Sequence, residues 1–165
     1  MPCLAARVVK RDGRAVRHAK HPLHGPLVWL SARIPSASSL DAPALQDRVA
    51  AVYAGIGRAL VSTRARPLRF WNYLPDPGAP MAPSLDRYMV FNAGRHAGLR
   101  EWLPDTTFDT RMPTASAVGT TDGDLVVHCL ASEEGGRAIH NPRQRQPWMY
   151  SARYGPRAPS FSRAV

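Results

Sequence analysis

The chain has 165 residues, of which 44% are hydrophobic, and its net charge is +10 at pH 7. This length suits one globular domain, and no apolar run approaches the roughly 18 residues of a membrane-spanning helix. The N-terminus lacks the apolar segment of a secretory signal, so we expect a soluble, cytoplasmic protein. Two cysteines, Cys3 and Cys129, are too few for a disulfide framework or a zinc site, and we interpret them as free thiols.

The positive charge lies at the two ends of the chain. Residues 1–24 hold six basic residues and one acidic residue, residues 135–165 hold six arginines and no acidic residue, and residues 25–134 are close to neutral. Basic ends attract anions such as phosphate backbones, anionic lipids or small dicarboxylates. Lysine is scarce and no base-stacking motif occurs, which argues against nucleic-acid binding.

Residues 1–24 show no periodicity and are predicted to form a basic, mobile tail. Three of its histidines, His18, His21 and His24, are spaced by three, which could form a metal site on a helix. Pro22 lies among them and disfavours a helix, so we expect no metal there.

From residue 25 onward, the hydrophobic pattern predicts one domain. The first half reads as a strand over 27–34, an amphipathic helix over 41–62 with Asp41 as its N-cap, and an aromatic strand over 68–74. A second helix over 85–103 follows, with Ser84 as its cap. Strands over 112–120 and 125–131 are separated by an Asp-Gly turn, which predicts a hairpin.

The resulting order, β-α-β-α-β-β, indicates an α+β fold with a mixed sheet and two helices packed on one face. Residues 135–165 are rich in arginine and proline and read as an extended segment. The signatures GxxxxGK[ST], GxGxxG, HExxH and GxSxG are absent, so we expect no cofactor and no metal.

Asn92, Arg95 and His96 form the first candidate constellation. Asn92 and His96 are four residues apart and share a helix face, and Arg95 borders that face. These side chains could orient a ligand or a loop. They could equally satisfy backbone groups between helix and sheet, and this structural role is favoured because buried polar groups are mostly satisfied.

The second candidate constellation lies in the arginine- and proline-rich segment. Arginine binds carboxylates through two parallel hydrogen bonds, tyrosine adds a hydroxyl donor, and proline lowers the cost of ordering a loop. A small anion with carboxylates would suit this chemistry, and an exposed arginine-rich extension is the alternative. The candidate substrate-binding residues are Arg143, Tyr150, Tyr154, Arg157 and Arg163.

Four collinear motifs resemble the chorismatase family, whose members act in secondary metabolism. Residues 69–76 (RFWNYLPD) are similar to the family's R-[VLF]-W-N-[YF]-[LI]-P-D, and residues 86–95 to its E-R-Y-x-x-F-N-x-G-R. Residues 113–119 are similar to P-A-A-[ST]-A-[IVL]-G, and the stretch from Asn141 to Ala164 resembles the central signature of the family. Together these motifs cover about residues 27–165.

The resemblance implies a module of the RidA/YjgF, chorismate-mutase-like fold. It also implies hydrolysis of chorismate, a dianion that the arginine and tyrosine cluster would bind. Family members continue into a second module that contains the acidic residue thought to protonate the enol ether, whereas this chain ends at Val165. Within the signature, Trp148, Met149 and Ser151 replace the family's Tyr, Arg and Pro.

Two functions follow from these expectations. The chain could be a chorismatase N-terminal half that binds chorismate or a similar small carboxylate and is incomplete for hydrolysis alone. It could instead be a non-catalytic RidA-like binding or assembly module. The expected partners are a small anionic ligand and either further copies of the chain, as a homo-oligomer, or a separately encoded C-terminal half.

Overall fold

The elements form one sheet covered by two helices. The computed structural model describes residues 3–9 (backbone only), 27–103, 108, 112–151, 153, 155–157, 159 and 161–164. Within these ranges the elements are β1 (Cys3–Val9), β2 (Leu27–Ile34), α1 (Ala42–Ser62), β3 (Arg66–Pro75), β4 (Pro80–Ala82), β5 (Leu85–Asp86), α2 (Arg87–Arg100), β6 (Thr114–Thr120) and β7 (Leu125–Ser132).

The main sheet has five strands in the order β1-β2-β7-β3-β6. β3 and β6 run parallel, and the other neighbouring pairs are antiparallel. On each central strand, alternate residues point into one core shared with both helices, for example Leu30 on β2, Phe70 on β3 and Val127 on β7. The predicted α+β fold, with a mixed sheet and two helices on one face, is therefore confirmed.

The predicted hairpin between the last two strands is wrong. β6 and β7 follow each other in sequence, yet β3 lies between them in the sheet. Residues 121–124 therefore pass across the end of β3, and the Gly123 carbonyl accepts a hydrogen bond from the Ser38 amide at 2.8 Å. An Asp-Gly pair favours a tight turn locally, but the pairing of strands depends on which faces the whole domain buries.

A strand over Cys3–Val9 was not predicted. This strand, β1, pairs with the outer edge of β2, so that Cys3 lies opposite Arg33 and Val9 lies opposite Leu27. An edge strand is held by backbone hydrogen bonds that any sequence can make, so it needs no side-chain periodicity. Residues 10–26, with the three closely spaced histidines, lie outside the described residues.

Helix α1 follows the prediction closely. The Asp41 carboxylate accepts a hydrogen bond from the Ala44 amide at 2.9 Å and satisfies a free donor of the first turn. The predicted apolar stripe faces the sheet and is buried: Leu45, Val49, Val52, Tyr53, Ile56 and Leu60. No helix in the described part of the chain has the length and apolar character needed to cross a membrane.

Helix α2 begins two residues later than predicted, at Arg87. Asp86 is its N-cap and accepts a hydrogen bond from the Met89 amide at 2.7 Å. Ser84, the predicted cap, has φ of 63° in the turn between β4 and β5. The correction arises because this small hairpin extends the backbone up to Asp86, and a residue in the left-handed region cannot start a helix there.

The two helices approach each other closely through glycines. A Cβ atom added at Gly94 would lie 2.4 Å from the carbonyl oxygen of Gln46, and one at Gly98 would lie 2.4 Å from that of Ala50. Only glycine permits this backbone contact. The buried face of α2 therefore includes Gly94, Arg95 and Gly98, and His96, which was expected to share the face of Asn92, is only half-buried.

Candidate functional site

Asn92 and Arg95 lie on the buried face of α2 and line a cavity of about 380 Å³ between α2, β3 and β6. Both side chains are 3% exposed. The remaining lining residues are Asn72, Pro77, Tyr88, Phe91, Ala115, Ser116, Ala117 and Phe161. This is hereafter the inner cavity. His96 does not line it and instead packs edge-on against Phe108, with ring centroids 5.1 Å apart.

A chain of buried hydrogen bonds supports the floor of the inner cavity. The Tyr53 hydroxyl donates to Oδ1 of Asn72 at 2.6 Å, and Nδ2 of Asn72 donates to the Ser116 carbonyl at 2.9 Å. The Arg95 guanidinium lies over the Tyr53 ring, with Cζ 5.6 Å from the centroid. Burial raises the pKa of Tyr53 to about 12, although the positive charge of Arg95 acts in the opposite direction.

Neither Asn72 nor Tyr53 is predicted as a site residue by the sequence. Tyr53 belongs to the predicted apolar stripe of α1. The hydrophobic pattern counts tyrosine as apolar, so it gives no sign that the hydroxyl would support a site. Asn72 offered a signal, because it is a polar residue at an inward position between Phe70 and Leu74. Its partners come from other elements, so their identity depended on the fold.

The inner cavity contains donors without acceptors. Nε and Nη2 of Arg95 and Nδ2 of Asn92 are buried and have no hydrogen-bond partner among the described residues. Among the residues that the structure describes, no carboxylate forms an ion pair with Arg95. A buried cation without an anion costs several kcal/mol in desolvation. Such an arrangement is chemically suited to an anion that enters from outside.

A second cavity, of about 650 Å³, adjoins the first and shares Tyr88 and Phe161 with it. Its other lining residues come from the C-terminal segment: Arg145, Tyr150, Ser151, Arg153 and Pro159. This is hereafter the outer cavity. Arg163 does not line this cavity but holds two of its lining residues, because its Nη2 atom donates to the Tyr150 hydroxyl at 3.2 Å and to the Arg145 carbonyl at 3.1 Å.

The C-terminal segment is attached to the sheet by its last residues. The Ser162 amide donates to the Pro113 carbonyl at 3.1 Å, and Ser162 bridges to Thr114 at the start of β6. Gly155 adopts φ of 120° beside Met89 in the first turn of α2. The segment therefore crosses α2 and brings Phe161 to the wall shared by both cavities.

The structure brings together only some of the predicted substrate-binding residues. Tyr150 and Arg163 meet at the outer cavity, whereas Arg143 and Arg157 are exposed and line neither cavity. Tyr154 lies outside the described residues. Arg145 and Arg153 were not predicted as site residues. The only feature of the sequence that points to them is that both lie in the arginine-rich segment.

A third cavity lies on the sheet face opposite the helices. It is lined by Arg33, Tyr73, Asp122, Asp124 and His128, among others. The Ser36 amide and the Arg33 guanidinium bind Asp124 and hold the pKa of its carboxyl below the usual range. Within the described ranges, no cluster of three or more His, Cys, Asp or Glu side chains could hold a metal ion.

Known proteins resemble this chain over most of its length. The family described as chorismatase FkbO/Hyg5-like, N-terminal, matches residues 8–131. A 3-hydroxybenzoate synthase of Streptomyces hygroscopicus is 36% identical over 98 residues, which are 59% of this chain and 28% of that protein. A chorismatase of Streptomyces rapamycinicus is 37% identical over 121 residues, or 70% of this chain and 34% of that protein.

A crystal structure of a chorismatase has the same fold. It superimposes with a TM-score of 0.67 at 27% identity and covers 84% of this chain, which corresponds to 42% of the solved chain. The chain thus spans less than half the length of these relatives. Because the family match covers most of the described domain, the chain belongs to the chorismatase family and matches its FkbO/Hyg5-like N-terminal domain.

Proposed function

We propose that this domain binds chorismate, or a similar small anion with carboxylate groups, in the outer cavity. The observation that carries the proposal is the convergence of Arg145, Arg153 and Tyr150 on one cavity, with Tyr150 held by Arg163. Guanidinium groups and a tyrosine hydroxyl are donors that match carboxylate oxygens. The names of the relatives, chorismatase and 3-hydroxybenzoate synthase, also indicate small carboxylic acids.

We propose further that the domain does not complete the hydrolysis alone. Breaking an enol ether requires a proton donor within hydrogen-bond reach of the ether carbon or oxygen. The described walls of the inner and outer cavities carry no Asp or Glu. A second module, in the same protein or encoded separately, would supply that acid.

Binding is tested by calorimetric titration with chorismate. Arg163→Met should weaken binding about 10- to 150-fold, because a charge-assisted hydrogen bond is worth roughly 1.5–3 kcal/mol and Tyr150 would lose its support. Arg58→Met is the matched control, since Arg58 is exposed on α1 and lines neither cavity. Equal binding by both variants, or none by the unaltered protein, would refute the proposal.

Two further variants test the residues that the sequence singled out. Arg143→Met and Arg157→Met should change chorismate affinity less than Arg163→Met, because both side chains are exposed, whereas Arg163 holds the lining residue Tyr150 through a hydrogen bond. Pyruvate release, followed by a coupled lactate dehydrogenase assay, should be at background with this chain alone. Turnover by the isolated chain would overturn the claim that the domain is incomplete.

An assembly role is the second candidate, and the outer face of the sheet favours it. Trp29 lies 5.4 Å from Trp71 and 5.1 Å from His128, as ring centroids, and Tyr73 meets His128 edge-on. Arg69 lies over Trp71. These side chains are half-buried, and no helix in the described ranges covers them. Clustered aromatic surface of this kind is typical of protein interfaces.

We propose that a second copy of the chain covers this aromatic face. Sedimentation velocity should give a concentration-dependent dimer or trimer. Trp71→Lys should shift it to monomer, while Val61→Ser, at an exposed apolar residue on α1 and away from this face, should not. A single monomer species at all concentrations would contradict self-association and favour a separate C-terminal half as the partner.

A further inference from the structure

The inner cavity has features that the proposed chorismate site does not use. Its polar groups lie at one end, where Asn92 and Arg95 project from α2 towards Asn72 on β3. Part of its wall is aromatic, because Tyr88 and Phe91 stack with an interplanar angle of 18° and Phe161 closes the side towards the C-terminal segment; Pro77 and small residues of β6 complete it. A charged end and an aromatic body define the shape of the ligand.

The charged end is preorganised to bind a planar anion. Arg95 is 3% exposed, and its Nε and Nη2 atoms have no partner in the part of the chain that the structure describes. Nδ2 of Asn92, also 3% exposed, is unpartnered in the same way. Two guanidinium donors and one amide donor match the two oxygens of a single carboxylate.

The position of Arg95 is imposed by the fold. Gly94 and Gly98 press α2 against α1, and the guanidinium lies over the Tyr53 ring, 5.6 Å from its centroid. Oδ1 of the neighbouring Asn72 accepts from Tyr53, and it accepts no hydrogen bond from Nε or Nη2 of Arg95. Buried polar groups are normally paired, so an unpaired set that lines a cavity points to an absent acceptor.

We propose that the inner cavity is a separate binding site for a small aromatic monocarboxylate, with Arg95 and Asn92 holding the carboxylate. Its volume of about 380 Å³ lies near the lower end of the roughly 300–1,000 Å³ range of ligand pockets. The aromatic ring would lie between Phe91 and Phe161. The site does not depend on the proposed chorismate binding, since it shares only wall residues with the outer cavity.

Benzoate is the test ligand, and benzamide is its neutral counterpart. Ligand-observed NMR on the full chain should detect benzoate binding and no benzamide binding. Arg95→Met should weaken benzoate binding at least tenfold, whereas Arg58→Met, on exposed α1 surface, should leave it unchanged. Equal binding of benzoate and benzamide, or of benzoate to Arg95→Met and the unaltered protein, would overturn the proposal.

A second pair of variants tests the site even if Arg95→Met fails to fold. Ala117 is exposed and lines the inner cavity, so Ala117→Phe should obstruct it and abolish benzoate binding without disturbing the core. Val118, the next residue, is 53% exposed and does not line it, so Val118→Phe should bind normally. Undiminished binding by Ala117→Phe would refute the site.

Parallel titrations with chorismate separate this proposal from the proposed function. Loss of chorismate binding in Arg163→Met, with benzoate binding intact, would support two sites. Absence of chorismate binding by the unaltered protein would refute the proposed function alone, provided that benzoate still binds. Absence of benzoate binding would refute the inner site alone.

Discussion

Replacing Gly98 by alanine tests how α2 is held against α1. In an exposed helix this change stabilises a protein by about 1 kcal/mol, because alanine restricts the unfolded chain and favours the helix. In this structure the new Cβ would lie 2.4 Å from the Ala50 carbonyl oxygen and 2.7 Å from Cβ of Tyr53. Both neighbours belong to the buried side of α1, so neither can rotate away.

The magnitude follows from the displacement that the new atom requires. Ordinary contact begins at 3.4 Å, so one helix must move by roughly 1 Å. Overpacking of this kind costs about 1–3 kcal/mol, and contact with backbone atoms favours the upper end of that range. After subtracting the helix-propensity gain, we expect Gly98→Ala to destabilise the domain by about 2 kcal/mol. The midpoint of thermal unfolding should fall by about 4–8 °C.

Thermal and urea unfolding followed by circular dichroism would measure the effect. Ala97→Gly is the control, because Ala97 is exposed on the same helix and should lose only the propensity difference of about 1 kcal/mol. Gly94→Ala should be destabilising as well, since its Cβ would meet the Gln46 carbonyl. A Gly98→Ala protein that unfolds at a higher temperature than the unaltered protein would refute the close helix contact.

Three further outcomes are expected. Cys129 is fully buried and burial raises its pKa, so in a Cys3→Ser protein iodoacetamide should modify it only after unfolding; rapid reaction in the native protein would contradict this. Burial lowers the pKa of His128, so below about pH 6.5 the unfolded state binds more protons than the folded state and stability falls as the pH decreases. Thermal melts between pH 5 and 8 should show a smaller loss of stability in His128→Gln than in the unaltered protein. An equal loss in both proteins would show that His128 is not the source of the pH dependence. Tyr53→Phe leaves Oδ1 of buried Asn72 without its donor and should cost about 1–3 kcal/mol in urea unfolding, so a neutral result would show that this hydrogen bond is dispensable.

The site was only partly predictable from the sequence. The pattern of α2 identified Asn92 and His96 as polar residues on one helix face, with Arg95 at its border, whereas the structure buries Asn92 and Arg95 and leaves His96 half-buried. It could not identify Asn72 and Tyr53 as their neighbours, because these residues lie on β3 and α1, about 20 residues or more away along the chain. Contacts of that kind exist only once the sheet and helices have packed.

The local elements were largely determined by the sequence itself. Spacings of three and four placed α1, the Asp41 side chain capped it, and alternation placed β2, because these signals act between residues close in the chain. The order of strands was decided only by the tertiary structure. β3 separates β6 from β7 despite the Asp-Gly turn, since burying one apolar face of every strand outweighs the local preference of a turn. The same packing places Arg95 in a cavity lined partly by aromatic residues. The sequence pattern could not predict this, because it does not show which elements come into contact.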